Sequence, residues 1–205
     1  MKLKVVTAIA ISTLLLIGSS GAAVADAPKA GQSMTHMKTG AGLASTLEAA
    51  GIIMYVQGGA TASVIGDSIG APTGQYVFHI PITANKSGVQ HLGSNIVFFN
   101  TANNNQLQLR NPVINLKTGD VTATIPQAEN KALTVLTITN LAGLKPTITT
   151  DKKANLRKTA YTGATLSLAP GIAAAISSIL GLPENSLPDA IAFGSTDVSL
   201  FTKAK

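Results

Sequence analysis

Residues 75–83, Gln-Tyr-Val-Phe-His-Ile-Pro-Ile-Thr, alternate apolar and other side chains with a period of two. Successive residues of an extended strand point to opposite faces, so Tyr76, Phe78, Ile80 and Ile82 form one buried face. Val77, His79 and Pro81 point the other way. Pro81 has no N–H to give to a ladder, which predicts that the strand lies at a sheet edge or ends there. A nine-residue alternation of this kind describes a strand with one wet face, the mark of an antiparallel sheet.

Outward from this strand the pattern repeats in shorter pieces. Ile52-Ile53-Met54-Tyr55-Val56 reads as a strand broken by Gly58-Gly59, with a second over 60–65. Residues 95–99 form a short apolar strand followed by a turn at 101–105, which holds three consecutive Asn. Residues 107–116 and 121–125 read as the arms of a hairpin whose connection carries Gly119. Residues 133–139, dense in Thr, Val and Ile, make another strand, and 165–168 and 197–201 two more. Residues 147–160 are polar and read as a long loop. Two helices are expected, at 43–50 before Gly51 and at 172–180, entered through Pro170 and stopped by Gly181 and Pro183. The order helix, Gly, strand at 43–56 is echoed at 171–201. The whole predicts a mainly β domain, sandwich-like antiparallel sheets with two short capping helices.

The N-terminus reads as a secretory signal. A basic start at Lys2 and Lys4, an apolar run from Val5 to Gly18 and the small-x-small Ala23-Val24-Ala25 place cleavage after Ala25. The expected organisation is therefore a signal peptide over 1–25, a flexible mature N-terminus over 26–42 and a single β-rich domain over 43–205. No later apolar stretch reaches the roughly 20 residues a helical membrane span needs. The expected location is secreted, periplasmic or otherwise in the cell envelope. The chain has no cysteine, so neither lipidation at a cleavage-site Cys nor disulfides enter, and the core alone must hold the domain.

Charge and aromatic content narrow the function classes. The 15 Lys and Arg less Lys2 and Lys4 leave 13 against 9 acidic residues, a net +4 for the mature chain. One cluster stands out, Lys152-Lys153 with Arg157-Lys158, and only Tyr161 lies near it. Nucleic-acid binding wants a basic stripe interleaved with aromatics, so it is not expected. A solvated loop with weak attraction to anionic wall polymers or lipid headgroups is.

No catalytic apparatus is legible. Gly66-Asp67-Ser68-Ile69-Gly70 satisfies G-x-S-x-G, but 71–74 lead straight into a strand where a nucleophile elbow needs a helix. No Asp or Glu lies between Ser68 and His91, and no His follows His91. The reverse order would use His36 as base. The chain is expected not to be an enzyme, and Ser68 to sit in a Gly-bounded turn. Met34, His36 and Met37 place two thioethers and an imidazole within four residues, a candidate for Cu(I) or Ag(I), because soft ligands select soft ions. His79 and His91 show no metal spacing, and each reads as a surface or turn histidine.

The stretch from Gly74 to Ile82 runs into Gly88-Val89-Gln90-His91-Leu92-Gly93, then Ile96-Val97-Phe98 and Leu109-Arg110-Asn111-Pro112-Val113-Ile114. It resembles a group of uncharacterised secreted bacterial β-domain proteins that share an F-x-(I/F)-P-I strand, a Gly-x-(V/I)-x-His-x-Gly turn and a final helix-strand unit. More distantly it is similar to the haem-transport-associated domain of Gram-positive cell-surface proteins. That resemblance implies haem held through Tyr with His support. Tyr55 or Tyr161 with His91 are then the trial ligands, and His79 is a further candidate. The leading expectation is a secreted or envelope-associated binding or structural protein, with haem or soft-metal capture as the alternative and a serine hydrolase third.

Overall fold

The computed structural model describes residues 32–66, 68, 70–184, 186–187 and 191–204. The expected signal peptide lies outside them. The chain is mainly β, with two helices and an antiparallel sheet that nearly closes into a barrel. The sandwich-like arrangement thus takes the form of one continuous curled sheet.

In chain order the elements are β1 (Met34–Thr39), α1 (Leu43–Ala49), β2 (Ile52–Gly58), β3 (Thr61–Ile65), β4 (Gln75–Pro81), β5 (Ala84–Asn85), β6 (Val89–Gln90), β7 (Ser94–Asn100), β8 (Gln106–Ile114), β9 (Asp120–Ile125), β10 (Lys131–Ile138), β11 (Thr147–Asp151), β12 (Leu156–Leu168), α2 (Ile172–Leu180) and β13 (Ala192–Lys203). The main path round the sheet is β2-β7-β8-β9-β10-β12-β13-β1-β4-β3, with β11 beside β12 and the small β5–β6 hairpin beside β8.

The alternation that predicts β4 holds. Tyr76, Phe78 and Ile80 are buried, while Val77 and His79 on the other side are partly exposed. The strand ends at Pro81, but it is not an edge: it pairs with β1 on one side and β3 on the other. Other strands repeat the logic. Leu107 and Leu109 of β8, Val121, Ala123 and Ile125 of β9, and Val198 of β13 fill the interior. Gln106 and Arg110 of β8, Thr122 and Thr124 of β9 and Asp197 of β13 lie on the other faces. On these strands apolar side chains face in and polar ones face out. No helix among the described residues is long and apolar enough to cross a membrane.

Two readings change. Met34–Thr39 falls in the segment expected to be flexible, yet it is the strand between β13 and β4. Its inward side chains are Thr35, Met37 and Thr39, so no run of aliphatic residues announces it. The expected long loop at 147–160 is instead β11, a turn, and the first half of β12. Every β11 residue is exposed; this hairpin carries β-prone threonines but buries little, so the apolar alternation used to find strands is absent.

Because neighbours are antiparallel, the ladders fix which loops share an end. The turns at 82–88, 115–119 and 152–155 and the end of β13 lie at one end. Both helices, with the loops at 66–74 and 101–105, lie at the other. Each helix is entered through a glycine in the left-handed region, Gly42 and Gly171, and α2 also ends on one, Gly181. Asn100 and Asn103 donate to the last carbonyl of α2, at Leu180, at 2.9 Å each, which ties that helix over the barrel mouth.

Where β13 crosses β1, Gly194 has φ +146°, and a Cβ there would run into the backbone of Lys38–Gly40. Gly163 is also left-handed but faces open space. Gly163→Ala is expected to cost about 1–2 kcal/mol for its conformation alone. Gly194→Ala must in addition push two strands apart and should cost clearly more, as urea unfolding of the two variants will show.

Candidate functional site

Four places carry the chemically distinctive side chains. The first is inside the barrel. His91 follows β6, which pairs with the end of β8 and draws the residue inward until it is 1% exposed. Its Nδ1–H donates to the carbonyl of Pro112 at 2.8 Å. A carbonyl can only accept, so the neutral ring carries its proton on Nδ1 and its Nε2 is bare. Thr35 Oγ1 of β1 lies 2.7 Å from Nε2 and donates to it. Burial pushes the His91 pKa below its usual 6.5, partly opposed by the Pro112 bond. The turn is there, Ser94 N–H donating to the His91 carbonyl at 3.2 Å, but the surface placement is corrected: this imidazole is a neutral, buried link between β1 and Pro112 of β8. Its burial was illegible because a Gly-flanked histidine gives no apolar period.

Next to this link runs an apolar cavity of about 70 Å³, walled by β7, β8, β9, β10, β12 and α2 side chains such as Phe98, Leu107, Ile125, Leu166 and Ile176. An engineered apolar cavity of about 150 Å³ stays dry, so this smaller one is an ordinary void under a helix plug. Pockets for drug-sized ligands run to roughly 300–1,000 Å³. Among the described residues no buried side-chain nitrogen or oxygen lacks a partner.

The second place is on the outer wall. His36 of β1 and His79 of β4 are directly opposed in the ladder. Their Nδ1 atoms are 2.7 Å apart, and the rings meet edge to face at 83° with centroids 4.8 Å apart. One ring must donate and the other accept. The His36 pKa is lowered, first by desolvation and then by His79; Asp197, opposite it on β13, opposes the shift.

The expected soft-metal trio is divided by the strand. Met37 points inward and is part of the core, on the opposite face from His36. Met34 shares the His36 face. The strand period of two separates residues that sequence proximity had grouped.

The third place is a cleft of about 420 Å³ at the turn end, between the 85–88 and 115–117 turns, with Lys86 and Lys117 at its sides and Tyr161 in its wall. The haem ligand candidates do not come together. His91 lines the internal cavity with both ring nitrogens engaged, Tyr161 lines the end cleft, and His79 is on the outer wall. Tyr55 stands on β2, its hydroxyl 3.5 Å from Gln106 Oε1.

The fourth place is Ser68, exposed in the loop between β3 and β4 at the helix end. Its neighbours Asp67 and Ile69 lie outside the described residues. The ladder puts Gln75 at that end and His79 four residues away along β4, a separation of about 13 Å at roughly 3.3 Å per residue. Comparisons with protein-family models, curated proteins and solved structures return no match.

The His91 link makes two expectations. Thr35→Val keeps the shape but leaves Nε2 unpaired in the interior, and should cost about 1–3 kcal/mol in urea unfolding. In the unfolded chain His91 takes up a proton from about pH 6.5 downward, while the folded protein resists it. Its stabilising share is therefore complete above that pH and declines as pH falls below it toward the depressed folded value. His36 acts in the same direction. Unfolding measured at pH 7.5 and pH 5 should show this loss, and His91→Gln should make it smaller.

Proposed function

We propose that this protein is an exported, non-catalytic binding or structural component of the cell envelope, held to a phosphate-bearing anionic surface by the basic end of its barrel. The observation that carries the reading is the sorting of charge along the barrel. Lys86 and Lys117 flank the end cleft, and Lys152, Lys153, Arg157 and Lys158 crowd the β11–β12 hairpin at the same end. Lys203 pairs with Leu156 beside them. All are exposed except Lys158, which lies 5.8 Å over the Phe201 ring.

Asp120 and Asp151 are the acidic residues of these turns, and both are turned to local use. Asp120 accepts from Thr118, and Asp151 accepts from the backbone N–H of Lys153 and Ala154. Glu48, Glu129 and Glu184 belong to the helix end. The ion pair found among the described residues, Lys131 with Glu129 at 2.9 Å, also lies away from the basic turns. A one-sided cationic end gives a weak, oriented, salt-sensitive attraction to polyanions. Non-catalytic action is supported by the order of residues, with no Asp or Glu between Ser68 and His91 and no His after His91. Export is supported by the signal-like first 25 residues.

The full chain expressed in a bacterium should appear in the envelope or medium with Asp26 as its first residue; an uncleaved cytoplasmic product would overturn the export reading. Purified protein should sediment with phosphatidylglycerol vesicles or with isolated phosphate-rich wall polymer at low salt and be released at high salt. Each basic side chain near such a surface contributes about 1 kcal/mol, roughly fivefold in affinity. Neutralising Lys152, Lys153, Arg157 and Lys158 together should therefore abolish binding. Retention by uncharged vesicles, or indifference to the fourfold change, would sink the reading. The two polyanions distinguish membrane from wall.

A further inference from the structure

We propose that His36 and His79 form a two-coordinate site for a monovalent soft cation, Cu(I) or Ag(I), on the outer wall of the barrel. The two strands bring two Nδ1 atoms to within 2.7 Å of one another, from residues 43 apart in sequence. Two neutral imidazoles at that distance share one proton, the donor ring holding it on Nδ1 and the other presenting a lone pair. If the donor ring moves its proton to its own Nε2, both Nδ1 lone pairs face a common point. No proton leaves the protein in that exchange, and the cation takes the place of the shared hydrogen. Metal–imidazole bonds are about 2.0 Å, so a linear arrangement needs the nitrogens to separate to about 4 Å. Side-chain rotation on a partly exposed face supplies that movement.

The donor set chooses the ion. Among the described residues no group of three His, Cys, Asp or Glu is placed to hold a metal. Ions that demand four or more ligands, such as Zn²⁺ or Ca²⁺, find too few donors here. A d¹⁰ monovalent ion is satisfied by two in line, and imidazole and thioether both suit copper. Met34 stands on the same face two positions before His36 and is the neighbouring soft donor. Asp197 lies across from His36 on β13 and adds a compensating negative charge. Its Oδ1 is occupied by the Gly163 N–H at 2.7 Å, so it acts through its field. Lys158 is the opposing positive charge and acts on His36 more weakly than Asp197 does.

The test uses the full chain, titrated with Ag(I) in chloride-free buffer and with Cu(I) under anaerobic conditions against a chromophoric Cu(I) chelator. Imidazole ¹⁵N resonances are followed at the same time. The expected result is one equivalent of either ion, with the Nδ1 signals of His36 and His79 displaced and those of His91 unmoved. His36→Gln and His79→Gln should each lower affinity by more than roughly 100-fold, beyond the 10- to 100-fold that loss of a merely supporting residue costs. Met34→Leu should give a smaller drop. An unmoved His91 spectrum in each variant establishes that the fold survives. Uptake that persists in both histidine variants, or wild-type binding that leaves the His36 and His79 signals in place, would overturn the proposal. So would Zn²⁺ bound at these two rings as tightly as Ag(I).

Discussion

The molecule depends on β1 being paired along both of its sides. Met34–Thr39 donates and accepts across to β13 on one flank and β4 on the other. The sheet would otherwise end at β13, with β3 and β4 as a detached hairpin. Its side chains reinforce the same junction from within. Thr35 holds His91, Thr39 accepts from the Tyr76 backbone N–H at 3.0 Å, and Thr196 of β13 donates to the His36 carbonyl at 3.1 Å. One short strand thus brings together the start, middle and end of the chain. This is the non-local pairing that makes such sheets slow to assemble and cooperative once formed.

The same strand explains why interior and exterior chemistry sit back to back. Thr35 reaches the buried imidazole, and the next residue, His36, reaches the partly exposed one. A shift of register by one residue would exchange them, placing a titratable ring in the apolar interior and a threonine outside. The fully buried Phe78 and its inward neighbours on β4 make that exchange costly, and so hold both histidine contacts in place.

Legibility in the sequence followed burial. β2, β4, β7, β8, β9 and both helices were readable because apolar side chains recur at the strand or helix period and Gly or Asn marks the breaks. β1 and β11 were not, for a common reason: threonine and charged residues can occupy a ladder whose stabilisation comes from backbone pairing with stronger neighbours. The site was less legible than the fold. Alternation with Phe78 and Ile80 turns His79 outward, as the structure has it. Its partner could not be found, because the pairing of residues 36 and 79 is a property of strand order, which no local pattern encodes. Met37 was grouped with His36 by proximity and is separated from it by the thickness of the sheet. Sequence distance and spatial distance are nearly unrelated once a strand lies between others.

The main sheet path begins at β2 and ends at β3, which follow one another in the chain yet keep their ladders with β7 and β4. The wall therefore has a seam, and apolar side chains stand exposed beside it, Ile53 at 39%, Val64 at 42% and Ile65 at 39%. Parting there breaks no ladder between the two strands, whereas parting anywhere else along the main path does. Fluctuations of the main path that loosen the wall will concentrate along this line. A foreign strand seeking backbone partners would find vacancies there, as it would along the outer side of β11, which pairs with β12 alone.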